Sequence, residues 1–320
     1  MKDDWPPART SATIGRNKEC PMPYTLYLGD AAYSSWSLRG WLLLDAFDVP
    51  FRAAWVPMYS DDFTAMQARN APARTVPALE IGDRDALVWE SLAIAETLAE
   101  RHPDAPYWPT DTAARGAARS LSGEMHAGFR ALRDRPSMNL RRRYSGFEPT
   151  EAENADAVRV QALWSWALRK FGGPYLGGAA FGAVDAMFAP VATRFVTYGF
   201  ALETDAARYV EAIYAHPSFR RWHAMADADP RVLDRYDLDI SGTGPLGTPR
   251  PAPMPAERYA GAASEAINAA CPYSGNPVQA DSLARIGGQV VGFCNPFCRD
   301  KSVADAAAWP ALMALLKDGP

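Results

Sequence analysis

Three short segments in the first third of the chain place polar groups where a helix begins or a strand opens. Tyr33-Ser34-Ser35-Trp36-Ser37-Leu38-Arg39 puts hydroxyls at a predicted helix start, where four amide donors lack an internal partner and the peptide dipole is positive. An anion is stabilised at such a place, and a thiolate qualifies. A free thiol titrates near ~8.5, so one hydroxyl hydrogen bond plus the helix end can leave it mostly ionised at neutral pH. Serine is also a favoured N-cap, so plain capping is the alternative reading. Thr75-Val76-Pro77-Ala78-Leu79 precedes a predicted strand, and a proline opening a strand is a candidate cis peptide. That bond would turn the Val76 N–H and C=O outward, to pair with an extended peptide ligand; a trans proline starting an edge strand is the plainer alternative. Trp89-Glu90-Ser91-Leu92-Ala93-Ile94 runs a strand into a helix. Ser91 and the first-turn amides suit an α-carboxylate and Glu90 suits an ammonium, so the pair reads one end of an amino acid, unless it is again an ordinary N-cap.

A second group of reactive residues lies far downstream. Cys271-Pro-Tyr-Ser-Gly-Asn-Pro-Val is followed by Val291-Gly-Phe-Cys294-Asn-Pro-Phe-Cys298-Arg-Asp-Lys. Three thiolates can hold a soft or borderline ion, whereas a closed structural zinc site takes four ligands. No histidine follows His223, so a fourth place would fall to Asp, water or an external thiol. Buried free cysteines in a small vestigial domain are the bland alternative.

The elements that must position these groups are legible as alternating signals from Tyr24 onward. A strand at Thr25 to Leu28, a helix beginning among Ser34, Ser35 and Ser37, a strand at Phe51 to Val56 and a helix at Asp61 to Ala68 come first. Strands at Ala78 to Ile81 and Ala86 to Trp89 flank the turn Gly82-Asp83-Arg84-Asp85, and Ser91 caps a third helix ending near Arg101. The order β-α-β-α-β-β-α is that of a thioredoxin-like domain. Ala-rich periodic runs at 111–134, 151–171, 184–199 and 206–215, broken at Pro136, Gly172-Gly173-Pro174 and Pro217, predict an all-helical second domain. The expected divisions are 1–22 as a disordered extension, 23–104 as the thioredoxin-like domain, 105–238 as the helical domain, 239–256 as a Pro/Gly-rich linker, and 257–320 as a small cysteine-bearing domain. The fold class is therefore α/β plus all-α, with a small α+β appendage.

Bulk composition narrows the function classes. The 320 residues are 48% hydrophobic and 22% charged with a net charge of −4, ordinary values for a globular protein. No nucleic-acid surface is expected, since the densest basic run, Arg141-Arg142-Arg143, is short and suits a solvated helix face or loop. No apolar stretch has the length of a membrane span, and the extension lacks the apolar core of a secretory signal. Four cysteines are too few for a disulfide scaffold, which points to a reducing cytoplasm.

Taken together, the order and spacing of these motifs resemble the glutathione S-transferase superfamily. Ser-Ser-x-Ser-x-Arg, Val-Pro-Ala-Leu and Glu-Ser-x-Ala-Ile match its glutathione-site hallmarks. Phe181-Gly182-Ala183-Val184-Asp185-Ala186-Met187-Phe188-Ala189-Pro190 is similar to the capping-box motif that opens its buried sixth helix, with Gly182 in place of the usual Ser/Thr, so half of the reciprocal box is missing. The resemblance implies a thioredoxin-like domain on a helical bundle, and glutathione as co-substrate, held by Val76, Pro77, Glu90 and Ser91. It implies a serine-stabilised thiolate attacking a small electrophile or a peroxide. Ser34 aligns with the zeta-class catalytic serine and Ser35 with the theta-class one, with Ser34 slightly ahead. Trp36 stands where the zeta pattern has Cys, which speaks against maleylacetoacetate isomerisation, the alternative glutathione-dependent activity; a non-catalytic thiol- or metal-binding protein is a further alternative. Trp36, Met125, Phe129, Tyr144 and Trp164 are candidates for the apolar wall facing the second substrate, though core packing would also explain them. A homodimer is implied as well. The tail resembles the YHS and TRASH metal-binding modules, which implies zinc or copper at Cys271, Cys294 and Cys298, with Ser274 where a further cysteine is usual.

Overall fold

The computed structural model describes residues 23–82, 84–246 and 254–317. The extension expected over 1–22, Asp83 of the expected turn and the centre of the expected linker lie outside the described residues.

The first domain follows the expected order. Strands β1 (Tyr24–Leu28), β2 (Arg52–Trp55), β3 (Ala78–Ile81) and β4 (Ala86–Trp89) form one sheet in the order β2-β1-β3-β4, with β1 parallel to β2 and the other pairs antiparallel. Helices α1 (Ser35–Asp45), α2 (Asp61–Arg69) and α3 (Ser91–Arg101) connect and flank it. Leu38, Trp41, Leu42, Leu43 and Leu44 of α1 are all buried, because this helix lies between the sheet and the helical domain. Gly40 allows the closest approach: a Cβ there would sit 2.6 Å from the Pro77 Cβ. Glycine is thus the residue that lets α1 meet the strand-opening loop.

The helical domain comprises α4 (Thr112–Ala127), α5 (Arg130–Asp134), α6 (Glu151–Phe171), α7 (Ala183–Tyr198), α8 (Thr204–Ala215) and α9 (Pro217–Ala228). The run expected over 111–134 is divided, because Phe129 is left-handed with φ 54°. Helix α6 starts on a complete capping box, with Glu153 N–H donating to Thr150 Oγ1 at 3.3 Å and Thr150 N–H to Glu153 Oε2 at 2.7 Å; it ends at left-handed Gly172. Helix α7 is buried along almost its whole length. Only the carboxylate half of its box exists, as expected, with Gly182 N–H donating to Asp185 Oδ2 at 2.9 Å. Burial pushes the Asp185 carboxyl up to about 7, against this bond and a second from Leu176 N–H at 3.0 Å.

The break expected at Pro217 stands where α8 ends at Ala215, and Pro217 opens α9 as its first residue, a position whose amide needs no partner. Three expectations need correction. The cap of α3 is Glu90, at φ 70°, so Ser91 is already the first helical residue. The basic run is not a helix face or loop: Arg142–Tyr144 is strand β5, paired antiparallel with β6 (Thr243–Pro245). Part of the expected linker is therefore structured, since β6 lies within it.

The tail is likewise attached rather than separate. It contains the sheet β7 (Ala256–Tyr259), β8 (Leu283–Ile286) and β9 (Gln289–Gly292), then α10 (Pro296–Ala304) and α11 (Pro310–Lys317). Helix α10 packs on α9. Arg220 of α9 donates two bonds to Asp305 at 2.8 and 2.7 Å, and Arg221 donates to the Ala308 carbonyl at 3.2 Å. An independent transferase half is not what this packing supports.

Candidate active site and a cysteine cluster

The two candidate serines have different surroundings. Ser34 caps α1: its Oγ accepts from Ser37 N–H at 3.2 Å and its hydroxyl donates to Ser37 Oγ at 2.7 Å. Ser37 Oγ also accepts from Gly29 N–H at 2.8 Å, so this network ties the helix start to the end of β1. Ser35 is the first helical residue, half-buried, and its hydroxyl forms no hydrogen bond among the described residues. It stands at the positive end of the helix dipole with its donor unspent.

The other two segments converge on the same helix. The Val76–Pro77 bond is cis, as expected, and neither backbone polar group of Val76 has a hydrogen-bond partner among the described residues. A Cβ on Gly29, at the end of β1, would lie 3.4 Å from Val76 Cγ2. Ser91 Oγ is buried at the start of α3 and has no hydrogen-bond partner among the described residues. A buried hydroxyl left this way costs about 1–3 kcal/mol, a deficit that an acceptor on a ligand would remove.

Trp36 and His126 link the serine end to Glu90. The Trp36 ring is half-buried, with Arg39 Cζ 4.1 Å and Arg133 Cζ 5.0 Å from its centroid, in cation–π range. His126 packs edge-on against Trp36 at 5.3 Å, and its Nε2 lies 3.6 Å from Glu90 Oε2. Burial lowers the His126 pKa, with Arg39 and Arg133 adding to the effect and Glu90 opposing it. The imidazole is therefore neutral at pH 7, and the Glu90 charge stays available to a ligand ammonium. Burial also lowers the Arg39 pKa; its Nε donates to the Met187 carbonyl at 3.0 Å, while Nη1 is buried without a partner. Neither His126 nor Arg133 is marked by the sequence, since each is one polar residue on an otherwise unremarkable helix.

Of the five candidates for the apolar wall, only Trp36 is partly open. Met125, Tyr144 and Trp164 are fully buried and Phe129 nearly so, which makes them core. Trp164 stacks among Phe188, Phe195 and Tyr209, and the Tyr144 hydroxyl joins Asn139 and Asp237. The arginine run is structural too: Arg141 donates to the carbonyls of Asp229 and Arg231.

In the tail, Cys271, Cys294 and Cys298 come together with their Sγ atoms all within 4.8 Å of one another. Cys298 sits in the first turn of α10, where its N–H donates to the cap residue Asn295 at 2.9 Å, and Cys294 immediately precedes that cap. Ser274 Oγ and Asn295 Nδ2 each donate to Cys294 Sγ at 3.2 Å. The Cys298 thiol and the backbone N–H groups of Tyr273, Cys294 and Ser274 hold Cys271 far down, to about 4. Cys298 is correspondingly raised by donating to Cys271, and burial raises Cys294. Three sulfurs at this spacing, one of them already favoured as thiolate, fit a thiophilic cation, and Ser274 stands beside them as the resemblance implies.

A thioredoxin-like sheet with a serine-capped first helix, packed on an all-helical domain with one buried central helix, defines a glutathione-transferase-like protein. Residues 33–101 match the family model described as glutathione S-transferase, N-terminal domain. A probable maleylacetoacetate isomerase of Caenorhabditis elegans is 28% identical over 165 residues, which span 50% of this chain and 75% of that protein. The crystal structure of maleylacetoacetate isomerase from Anaeromyxobacter dehalogenans superposes with a TM-score of 0.50 at 24% identity, covering 68% of this chain and 99% of that one. A glutathione transferase homolog from Burkholderia, solved with bound glutathione, gives a TM-score of 0.48 at 27% identity over 62% of this chain and 96% of its own. Among the described residues no helix is long and apolar enough to cross a membrane.

Proposed function

We propose that the chain is a glutathione transferase in which Ser35 donates to the glutathione thiolate and Ser34 holds the helix end that presents it. The observation that carries this reading is the unspent Ser35 hydroxyl at the positive end of α1, next in the chain to Trp36, whose ring packs on His126 beside Glu90. Glutathione lies extended, pairing with the free backbone groups of Val76, while its γ-glutamyl end meets Glu90 and the first turn of α3 at Ser91. The thiolate attacks a small electrophilic carbon or a peroxide beside Trp36; the serine donates a hydrogen bond and does not serve as a base, since a hydroxyl does not ionise near pH 7. Trp36 in place of the zeta-class cysteine favours transfer over isomerisation. The superfamily resemblance supports a homodimer, and four cysteines in 320 residues suit a reducing cytoplasm.

The binding half of this reading is tested at Glu90. Glu90→Gln is expected to weaken glutathione by about 1–3 kcal/mol, the scale of a lost charge-assisted bond, in calorimetric titration. S-methylglutathione should lose the same amount, because the defect is at the γ-glutamyl end. A loss restricted to free-thiol glutathione would remove Glu90 from that end.

A second reading concerns the tail, favoured by the three converging sulfurs. We infer that Cys271, Cys294 and Cys298 hold one zinc or copper ion, with the Ser274 hydroxyl or an external ligand completing the set; such an ion would brace the small domain. Protein purified without chelator is expected to carry close to one ion per chain by elemental analysis, and Cys294→Ser to carry none. An ion retained in the Cys294→Ser, Cys298→Ser double variant would belong elsewhere.

A further inference from the structure

The three tail thiols are arranged for a second chemistry that does not depend on the transferase reading. Cys294 is the half-buried member, whereas Cys271 and Cys298 are 2% and 9% exposed. A small disulfide arriving from solvent therefore reaches Cys294 first. Cys298 Sγ lies 4.0 Å behind it, one helical turn further along the chain, and its thiol donates to the Cys271 sulfur, so a sulfur that has reacted at Cys294 has at its back a second thiol whose proton already has an acceptor. The Ser274 hydroxyl and the Asn295 amide, both donating to Cys294 Sγ at 3.2 Å, offset part of the burial that disfavours negative charge on the attacking sulfur. The amino end of α10 adds its dipole. A cation acts on Cys298: Lys301 lies one turn along from it on α10 and favours its charged form, with the ammonium 4.0 Å from the ring centroids of both Tyr273 and Trp309.

We propose that, when no metal ion occupies the cluster, Cys294 and Cys298 act as a thiol–disulfide exchange pair toward low-molecular-weight disulfides of the oxidised-glutathione class. In the first step the Cys294 sulfur attacks one sulfur of glutathione disulfide. The S–S bond breaks and one glutathione leaves with the electron pair, taking up the proton that Cys294 gives up. In the second step Cys298 attacks the Cys294 sulfur of the mixed disulfide, the second glutathione leaves, and it takes the Cys298 proton. Two cysteines are oxidised to one disulfide, and one glutathione disulfide is reduced to two thiols. The oxidised pair cannot ligate an ion as thiolates, so the glutathione couple would control whether the tail holds metal.

The test uses the full chain in a Cys20→Ser background, stripped with chelator and incubated with excess glutathione disulfide. Titratable thiols should fall from three to one, with peptide mapping placing the bond between Cys294 and Cys298. Cys298→Ser, Cys271→Ser should stop at the first step and accumulate one glutathionyl adduct at Cys294. Cys294→Ser should lose thiols at least roughly ten-fold more slowly, since the remaining thiols are covered. Prior loading with zinc should protect all three thiols. Three free thiols persisting in the stripped wild-type chain under excess disulfide would overturn the proposal, whatever the variants do. So would a stable Cys294 adduct in wild type, or a bond that links Cys271 to Cys294.

Discussion

Ser35→Ala is expected to raise the pKa of bound glutathione back toward the free-thiol value of ~8.5 and to lower kcat/KM by about 10- to 100-fold. The magnitude follows from a hydrogen bond to a charged group, worth about 1.5–3 kcal/mol, removed where a thiolate must be held. Ultraviolet titration of the thiolate in the binary complex reads the pKa directly, and kcat/KM with a standard electrophile reads the consequence. Ser34→Ala acts differently. It removes the cap of α1, so its main effect should be a loss of about 0.5–2 kcal/mol in stability. The hydroxyl of Ser34 is engaged with Ser37, and the thiolate should keep most of its acidity in that variant. Serine assignment at Ser35 fails if Ser35→Ala titrates like wild type while Ser34→Ala restores the free-thiol pKa.

The largest stability loss is expected at Arg221, where three parts of the molecule meet. Its Nε and Nη2 donate to Asp45 Oδ2 at 3.0 and 2.7 Å, Nη2 also reaches Ser218 Oγ, and Nη1 reaches the Ala308 carbonyl. Asp45 closes α1, Arg221 lies on α9, and Ala308 belongs to the tail. The two charged side chains are 9% and 10% exposed, so Arg221→Ala should leave Asp45 buried and uncompensated, at about 3–5 kcal/mol. Burial already raises the Asp45 pKa, with Arg221 opposing that rise; without the arginine it should climb further. Because a carboxyl with a raised native pKa sheds its buried charge on protonation, the deficit should be full at neutral pH and shrink as pH falls through that raised value. Replacing both partners, Asp45→Leu with Arg221→Leu, should recover much of the loss. Urea midpoints for wild type, single and double variants at pH 5 and pH 7.5 measure all of this. A single-variant loss under about 1 kcal/mol with no pH dependence would show that the pair is effectively solvated.

Local chemistry explains why so much of the first domain is legible in the linear chain. Hydroxyls before an apolar run, a proline before a strand and Glu-Ser at a strand–helix junction each specify backbone conformation within a few residues. They locate β1 through α3 and all three candidate-site segments without any long-range information. The same locality explains the failures. Ser34 and Ser35 are equivalent as a sequence pair, and only the position of Ser37 against Gly29 commits the first of them to capping. Glu90 and Ser91 both stand at the start of α3, and the cap falls on Glu90, at φ 70°, one residue before the serine that the sequence marks.

What the amino-acid order alone determined was the class of each element and the groups that stand at its ends. Tertiary structure decided which of those groups meet. His126 reaches Glu90 across the gap between α4 and the start of α3, Arg221 finds Asp45 176 positions away, and Tyr144 and Trp164 fall into the core instead of the site. Aromatic side chains are apolar whether they line a cleft or fill an interior, so their type carries no address. Charged and hydroxyl groups at a helix end do carry one, since unpaired amides and the peptide dipole act within a single turn. For that reason the polar half of the candidate site is written along the chain, whereas the sorting of aromatic residues between site and core and the anchorage of the cysteine-bearing tail exist only in the packed molecule.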